Sequence, residues 1–289
     1  MIIQPLVSGL AIGGIYALLA VSFLLTYRVS SVLNFAQAEF VMLGAFVAST
    51  VAGIAGIPLV AAALLGVGAA ALLGVLMERV TYRPLRNKSH ASLIISTVAV
   101  GIILAQAAQL IWGPNPKTLP SLVPNVSIDF LGSRVSTVSL FLIVVSVTLI
   151  VALHYVLTKT RLGRQLEATA VDPDTAQLMG IRTGRLVIIA FAISTGLAGA
   201  AGILVAPMFS VTVQLGVLIA LKAFAACVIG GFGSLPGAAI AAVGLGVVEN
   251  LAGTFIGTDS KDLIAFGLMI AFLIVRPQGI FGAKVGEKL

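Results

Sequence analysis

Ionisable side chains inside apolar stretches are the residues of this sequence most able to take part in chemistry. Glu39, Lys222 and Glu249 lie within or beside long apolar runs. A charge at the centre of a bilayer costs about 2.5–3.5 kcal/mol, so such residues face a protein interior, an aqueous cavity or the membrane interface. Glu39 and Lys222 could therefore relay a proton or contact a polar solute. Two alternatives to such a role stay open: Glu39 caps the start of a helix, and the Lys222 side chain extends to the outer membrane interface. Glu249 is expected at the membrane interface.

Motifs for catalysis are missing from the sequence. No stretch reads GxxxxGK[ST], so the chain has no phosphate-binding loop of an ATPase. It also has neither a His/Cys metal cluster nor a GxSxG nucleophile turn, and we expect His90 and His154 to be solvated residues near the membrane interface. We therefore predict no enzymatic activity, no catalytic residue, no metal and no cofactor in this chain.

The composition predicts a membrane protein. Of the 289 residues, 59% are hydrophobic and 9% are charged, whereas soluble domains carry about 25% charged residues. Runs of about 20 apolar residues recur, each long enough to cross the hydrocarbon as a helix. We predict an all-α polytopic membrane protein with eight to nine transmembrane helices in one domain, residues 1–289. Small-residue spacings such as Gly9 and Gly13 favour close helix packing in lipid.

Two of the apolar segments are interrupted. Polar residues 34–38 precede Glu39, and the turn-rich residues 230–237 (GGFGSLPG) break a later run. A pair of interrupted segments in the two halves of a transporter indicates a translocation pathway. An ordinary tight turn between two spans is the alternative for residues 230–237.

The long polar stretch 159–185 is too polar to lie in lipid. Asp172 followed by Pro173 predicts a helix start, and Gly180 predicts its end. Residues 165–170 form a second short helical segment before it. Between the start and the end, Ala176, Leu178 and Met179 give a small apolar patch, which either folds back on the spans or docks a partner protein.

Residues 113–134 form the other polar segment. Four prolines exclude a continuous helix there, and the alternation of residues 126–130 followed by a turn at 131–133 predicts a short hairpin. With the amino terminus outside and nine spans, thirteen Lys and Arg fall on the cytoplasmic side and three outside. This asymmetry places stretch 159–185 and the carboxyl terminus in the cytoplasm and the hairpin outside.

Four segments carry a resemblance to a known family: residues 14–18 (GIYAL), 31–40 (SVLNFAQAEF), 167–181 and 221–237. Together they resemble the permease subunit of a bacterial high-affinity branched-chain amino acid ABC importer, of the Liv H type. The resemblance covers essentially the whole chain. One departure is Gln37-Ala38, where family members often have His-Gly, and the missing glycine argues against a sharp helix break there.

The resemblance implies an inner-membrane importer of leucine, isoleucine or valine. This chain would pair with a second, similar permease, two cytoplasmic subunits would bind ATP and Mg, and a periplasmic protein would deliver the substrate. The coupling segment of such permeases corresponds to Glu167, Ala168, Asp172, Pro173, Ala176, Met179, Gly180 and Ile181. We assign the translocation pathway to Asn34, Phe35, Gln37, Glu39, Lys222, Gly230, Gly231, Phe232 and Gly233.

Two alternatives remain open at this point. Permeases of the same type serve urea, short amides and other amino acids. A function of another class is a secondary carrier or channel that uses Glu39 and Lys222 and needs no ATPase. Co-purification with an ATPase separates this second alternative from an ABC importer.

Overall fold

The computed structural model describes residues 2–54, 56–86, 88–130, 133–257 and 259–282. Lys284 and Lys288 of the predicted cytoplasmic charge, and Leu131 and Gly132 of the predicted hairpin turn, lie outside these residues. The helices are α1 (Ile3–Ser30), α2 (Gln37–Ala52), α3 (Leu59–Met77), α4 (Arg83–Leu85), α5 (His90–Trp112), α6 (Thr137–Lys159), α7 (Arg161–Val171), α8 (Pro173–Leu178), α9 (Thr183–Val205), α10 (Leu215–Gly230), α11 (Leu235–Phe255) and α12 (Ser260–Val275). A π-helical turn, Glu78–Tyr82, joins α3 to α4.

Within the described residues, six helices are long and apolar enough to cross a membrane: Ile3–Ser30, Leu59–Leu85, His90–Trp112, Thr137–Lys159, Thr183–Val205 and Leu235–Phe255. The apolar helices α2 and α10 are shorter. The chain is therefore an all-α polytopic membrane protein, as the composition predicts.

The chain divides into two compact units. The first unit comprises residues 1–24, 123–147 and 219–289, and the second comprises residues 25–122 and 148–218. The single domain over residues 1–289 stays a prediction.

In the first unit, small residues bring α1 against α11. A Cβ atom added to Gly9 would lie 2.8 Å from the Cα atom of Val247, and one added to Gly13 would lie 2.8 Å from the Cα atom of Val243. Such distances leave no space for a side chain, so the two backbones are in direct contact. The predicted packing role of Gly9 and Gly13 is confirmed.

In the second unit, α2, α3 and α9 pack against one another. A Cβ atom on Gly44 of α2 would lie 2.5 Å from the Cα atom of Gly199 on α9, and one on Gly199 would lie 2.6 Å from Cβ of Ala70 on α3. The three helices therefore meet through glycine and alanine, which lets their backbones approach closely in lipid.

The predicted hairpin is also present. Strands β1 (Ser127–Phe130) and β2 (Ser133–Ser136) are antiparallel, with Ile128 opposite Val135. Thr137, which begins α6, donates a hydrogen bond from its side chain to the carbonyl of Pro124. The hairpin is thus tied directly to the start of a long apolar helix.

Candidate translocation and coupling sites

The interruption between α1 and α2 is built by an asparagine. Ser31 has a left-handed backbone with φ of 53°, and Asn34 Oδ1 accepts a hydrogen bond of 3.1 Å from the backbone amide of Ala36. This side-chain turn replaces helical hydrogen bonds, because asparagine readily bonds the backbone two residues ahead. The helix stops at Ser30 and restarts at Gln37. The break therefore precedes Gln37-Ala38 and does not need a glycine at position 38.

A chain of buried polar groups connects this break to α9. Gln37 Nε2 donates to the carbonyl oxygen of Ser194 (3.2 Å) and to its Oγ atom (3.1 Å). Gln37 Oε1 accepts from Asn34 Nδ2 at 3.1 Å, and Thr26 Oγ1 donates to Ser194 Oγ at 2.6 Å. These four side chains, which we call the polar network, are all buried. Sequence reasoning found Asn34 and Gln37 and missed Thr26 and Ser194, whose signal is a hydroxyl group within an apolar run.

Phe35 extends outward from the same break. Its side chain is 44% exposed, while its backbone amide donates to Thr97 Oγ1 of α5 at 3.2 Å. A cavity of about 10 Å³ next to the break is lined by hydroxyl and aromatic residues, including Ser30, Ser96 and Phe191. That volume suits about one water molecule. An amino acid does not fit in this cavity.

Glu39 lies in the first turn of α2, two residues beyond Gln37. It is partly buried, and its Oε2 atom is enclosed without a hydrogen-bond partner among the described residues. A Cβ atom on Gly101 of α5 would lie 3.7 Å from Cγ of Glu39. The carboxylate is thus close to the helix start, where a negative charge is favourable.

In the first unit, Lys222 is held by two carboxylates. Its Nζ atom lies 2.5 Å from Glu249 Oε1 and 2.8 Å from Asp262 Oδ1, and the Tyr16 hydroxyl donates to Glu249 Oε2 at 3.0 Å. Glu249 is only 4% exposed, so the protein encloses it; its position at the membrane interface stays a prediction. Whether Lys222 extends to the outer interface stays open, because one of its two partners, Asp262, is 57% exposed.

Residues 230–237 form a packed turn between α10 and α11. Gly231 has φ of 95°, and a Cβ atom there would lie 2.7 Å from the carbonyl oxygen of Gln278. The backbone amides of Ile280 and Phe281 donate to the carbonyls of Ile229 and Gly230. Gly230 and Gly231 therefore allow the chain after α12 to close against the turn.

Two other predicted residues of this turn differ in their surroundings. The ring of Phe232 packs against Phe224 with centroids 5.8 Å apart, and Gly233 is exposed. Residues 230–237 therefore have the geometry of a tight turn between two helices, which the sequence analysis gave as the alternative to an interrupted segment.

The predicted coupling segment forms two short helices, α7 and α8. Helix α7 runs from Arg161 to Val171, longer than the predicted residues 165–170, because Thr160 caps it by accepting from the Gly163 amide at 3.3 Å. Leu166 and Thr169 on one face are buried, whereas Glu167 is exposed and Ala168 partly exposed.

Asp172 and Gly180 bound the second helix, as predicted. Asp172 Oδ1 accepts from the amides of Asp174 (3.0 Å) and Thr175 (3.1 Å), with Pro173 in the first turn. The hydrogen bond from the Thr175 hydroxyl, followed by these amide bonds, lowers the pKa of the Asp172 carboxyl group. Gly180 closes the helix with φ of 80°.

The apolar patch of this segment differs from the prediction. Ala176 is 3% exposed, and its carbonyl accepts from the Ile181 amide, so Ala176 is packed inside and is not part of an exposed patch. Leu178 and Met179 are 88% and 79% exposed, and Val171 at the end of α7 is 82% exposed. We call Val171, Leu178 and Met179 the apolar knob.

Comparison with known proteins identifies the family. The family described as branched-chain amino acid transport system / permease component matches residues 6–273. The chain belongs to this permease family.

Several relatives match the permease over nearly its whole length. It is 34% identical to the high-affinity branched-chain amino acid transport system permease protein BraD of Pseudomonas aeruginosa, over 99% of this chain and 98% of the relative. It is also 34% identical to the permease protein LivH of Escherichia coli K12, over 99% and 97%. A probable LivH of Methanocaldococcus jannaschii is 30% identical over 92% and 88%. No solved structure matches.

The permease brings some of its predicted site residues together. Asn34 and Gln37 share the polar network, and Asp172, Pro173, Ala176 and Gly180 build the turn that presents the apolar knob. Lys222 belongs instead to an ion cluster with Glu249 and Asp262. Both carboxylates are far from Lys222 in the sequence.

Proposed function

We propose that this chain is the permease subunit of an ATP-driven importer of branched-chain amino acids in the bacterial inner membrane. The observation that carries the proposal is the 34% identity to BraD and LivH over 99% of the chain. In this role the chain forms the translocation pathway, and separate subunits hydrolyse ATP.

The proposed topology has nine spans, namely α1, α2, α3, α5, α6, α9, α10, α11 and α12. The amino terminus and the β1–β2 hairpin lie outside, and α7, α8 and the carboxyl terminus lie in the cytoplasm. The Lys and Arg residues of 79–88 and 159–185 support this orientation, because positive charge favours cytoplasmic loops.

The proposed partners follow from this assignment. A second permease of similar type completes the membrane part, and a periplasmic protein delivers the substrate. Two cytoplasmic subunits bind ATP and Mg, which this chain does not hold itself. The amino acid class comes from the names of the relatives, and urea, short amides and other amino acids are the alternative substrates.

We place the contact with the ATP-binding subunits at the apolar knob. Three large apolar side chains with 79–88% exposure stand on a polar segment, and exposed apolar groups of this kind mark interaction sites. Asp172 and Gly180 fix both ends of α8, so a push on the knob moves α8 as one body. Ala176 supports this surface from inside.

The test is the double variant Leu178→Ser/Met179→Ser. We expect loss of leucine uptake in cells and loss of co-purification with the ATP-binding subunits, at normal amounts of permease in the membrane. Val126→Ser is the matched control, because Val126 is 55% exposed at the hairpin. Full uptake and co-purification in the double variant would reject the knob as the docking site.

We place part of the translocation pathway at the break between α1 and α2. Gln37 and Ser194, which are hydrogen-bonded to each other, are the kind of polar groups that a zwitterion needs at a discontinuous helix.

A secondary carrier using Glu39 and Lys222 is the less supported function. Lys222 is neutralised by Glu249 and Asp262, which favours a structural role over a relay. Proteoliposomes that contain this chain alone provide the test: gradient-driven uptake without an ATPase would favour the carrier.

A further inference from the structure

A basic cavity of about 540 Å³ lies in the second unit, where the π-helical turn and α4 face the linker between α8 and α9. Four guanidinium groups line it: Arg83, Arg86, Arg182 and Arg185. An adjoining cavity of about 270 Å³ shares the walls formed by Arg86, Gln177 and Thr183. A volume of this size accommodates a small ligand.

Glu78 lies in the wall of both cavities. The residue is 3% exposed, and its Oε2 atom is enclosed without a hydrogen-bond partner among the described residues. The ion pairs found in the described part of the chain do not include Glu78. A buried carboxylate oxygen without a donor is costly, so a donor group that reaches Glu78 from the cavity would lower this cost.

The π-helical turn explains how an acid reaches this position. Glu78 directly follows the apolar helix α3 and is the first residue of the π-helical turn Glu78–Tyr82. Such insertions are frequent at functional sites. Tyr82 packs on Phe191 of α9 with ring centroids 5.3 Å apart, which fixes the turn against the helix that carries the opposite wall.

We propose that this cavity binds a zwitterion that carries a primary ammonium group and an acidic group. The ammonium group pairs with Glu78, and the acidic group pairs with one or more of the four guanidinium groups. A ligand with only a positive charge is repelled by the arginines, and a purely anionic ligand leaves Glu78 unpaired. A free α-amino acid and the headgroup of phosphatidylethanolamine share the required chemistry.

A ligand in this cavity would also contact the segment that carries the apolar knob. Gln177, Gly180 and Ile181 line the same cavity as Glu78. An occupant therefore bridges the π-helical turn and the end of α8. The site itself does not depend on the proposed transport function, because binding is measured without partners or ATP.

The test uses the purified full chain in nanodiscs of phosphatidylcholine and phosphatidylglycerol. Calorimetric titration compares leucine with 4-methylpentanoate, which lacks the ammonium group, and with 3-methylbutylamine, which lacks the carboxylate. In a second set of nanodiscs that also contain phosphatidylethanolamine, native mass spectrometry compares retention of phosphatidylethanolamine with that of phosphatidylglycerol. Binding of leucine identifies the free amino acid as the source, and selective retention of phosphatidylethanolamine identifies the lipid.

Three variants locate the binding. Glu78→Gln keeps the side-chain volume and should weaken binding of the zwitterion about tenfold or more, because a charge-assisted hydrogen bond to the ammonium group is lost. Arg182→Gln/Arg185→Gln should weaken binding of the zwitterion, because partners of its acidic group are removed. Both positions are exposed, so the change does not alter a buried site. Asp129→Asn, which removes an exposed carboxylate at the hairpin, should leave binding unchanged.

Several results would overturn the proposal. These are no binding of either zwitterion, equal binding by wild type and Glu78→Gln, and equal affinity for leucine and 4-methylpentanoate or for the two lipids. If Ser194→Ala abolishes leucine binding and Glu78→Gln does not, the ligand occupies the polar network instead.

Discussion

Lys222 Nζ lies 2.5 Å from Glu249 Oε1, although the two residues belong to different helices, α10 and α11. Asp262 of α12 approaches the same ammonium group at 2.8 Å. The side chains of Lys222 and Glu249 are 9% and 5% exposed, whereas that of Asp262 is 57% exposed. One lysine thus ties three consecutive helices of the first unit, and its two carboxylates differ in burial.

We predict that Glu249→Gln destabilises the protein much more than Asp262→Asn. Removing one partner of a buried pair costs about 3–5 kcal/mol, because the other charge stays buried, whereas exposed pairs contribute about 0–1 kcal/mol. The free energy of unfolding in detergent micelles measures both variants. Lys222→Met/Glu249→Gln should recover part of the loss. Equal losses in the two single variants would contradict the difference in burial.

The polar network gives a second prediction. Ser194→Ala removes the hydroxyl that accepts from both Thr26 and Gln37, while the Gln37 bond to the Ser194 carbonyl stays; each lost hydrogen bond costs about 0.5–1.5 kcal/mol. We expect lower unfolding stability and altered leucine uptake. Thr26→Val keeps the Gln37 contact and should cost less. The double variant Thr26→Val/Ser194→Ala should cost less than the two single losses together, because the two side chains share one bond; strict additivity would contradict the network.

The sequence predicted those features that depend on local chemistry. Asp172-Pro173 and Gly180 bounded α8 because capping and a left-handed glycine act within a few residues. Gly9 and Gly13 were found because small residues at that spacing have one common use in membrane helices. The prolines and alternation before α6 likewise predicted the hairpin.

Features that depend on distant partners were not predictable. The position of Glu249 in its run gave no sign of Lys222, and a single turn around Ala176 does not show which of its faces packs. Ser194 is one hydroxyl in an apolar helix, and only the fold brings it to Gln37. Glu78 directly follows an apolar run, and nothing in its neighbouring residues shows that the fold encloses its carboxylate oxygen.

Helix contact through glycine yields a third prediction. A Cβ atom on Gly44 would lie 2.5 Å from the Cα atom of Gly199, so Gly44→Ala must separate α2 from α9. We expect a loss of about 1–3 kcal/mol in unfolding free energy, as for overpacked cores. Gly68→Ala on α3 is the control, because nothing lies within 4 Å of a Cβ atom there. The control should be neutral or slightly stabilising, and equal effects would refute the close contact.

The Asp172 cap gives a pH-dependent prediction. Hydrogen bonds from Thr175 and Asp174 lower the pKa of this carboxyl group in the folded helix. Its contribution to α8 is therefore complete at neutral pH and is lost as the pH falls through the lowered pKa. Hydrogen exchange at the amides of Asp174 and Thr175 should accelerate on acidification, relative to the intrinsic rate. Asp172→Asn should remove the pH dependence of this exchange. If the exchange rates of that variant still changed with pH as in the wild type, another group would be responsible.

The proposed orientation can be tested with a single introduced thiol. The native Cys227 is the one cysteine of the chain and is fully buried, so it should react little with a membrane-impermeant maleimide. Asp129→Cys, on the hairpin, should be labelled in intact spheroplasts, whereas Asp174→Cys, at the start of α8, should be labelled only after permeabilisation. The unmodified chain measures the background from Cys227. Labelling of Asp174→Cys from outside would place α8 away from the ATP-binding subunits and would remove the basis for coupling through the apolar knob.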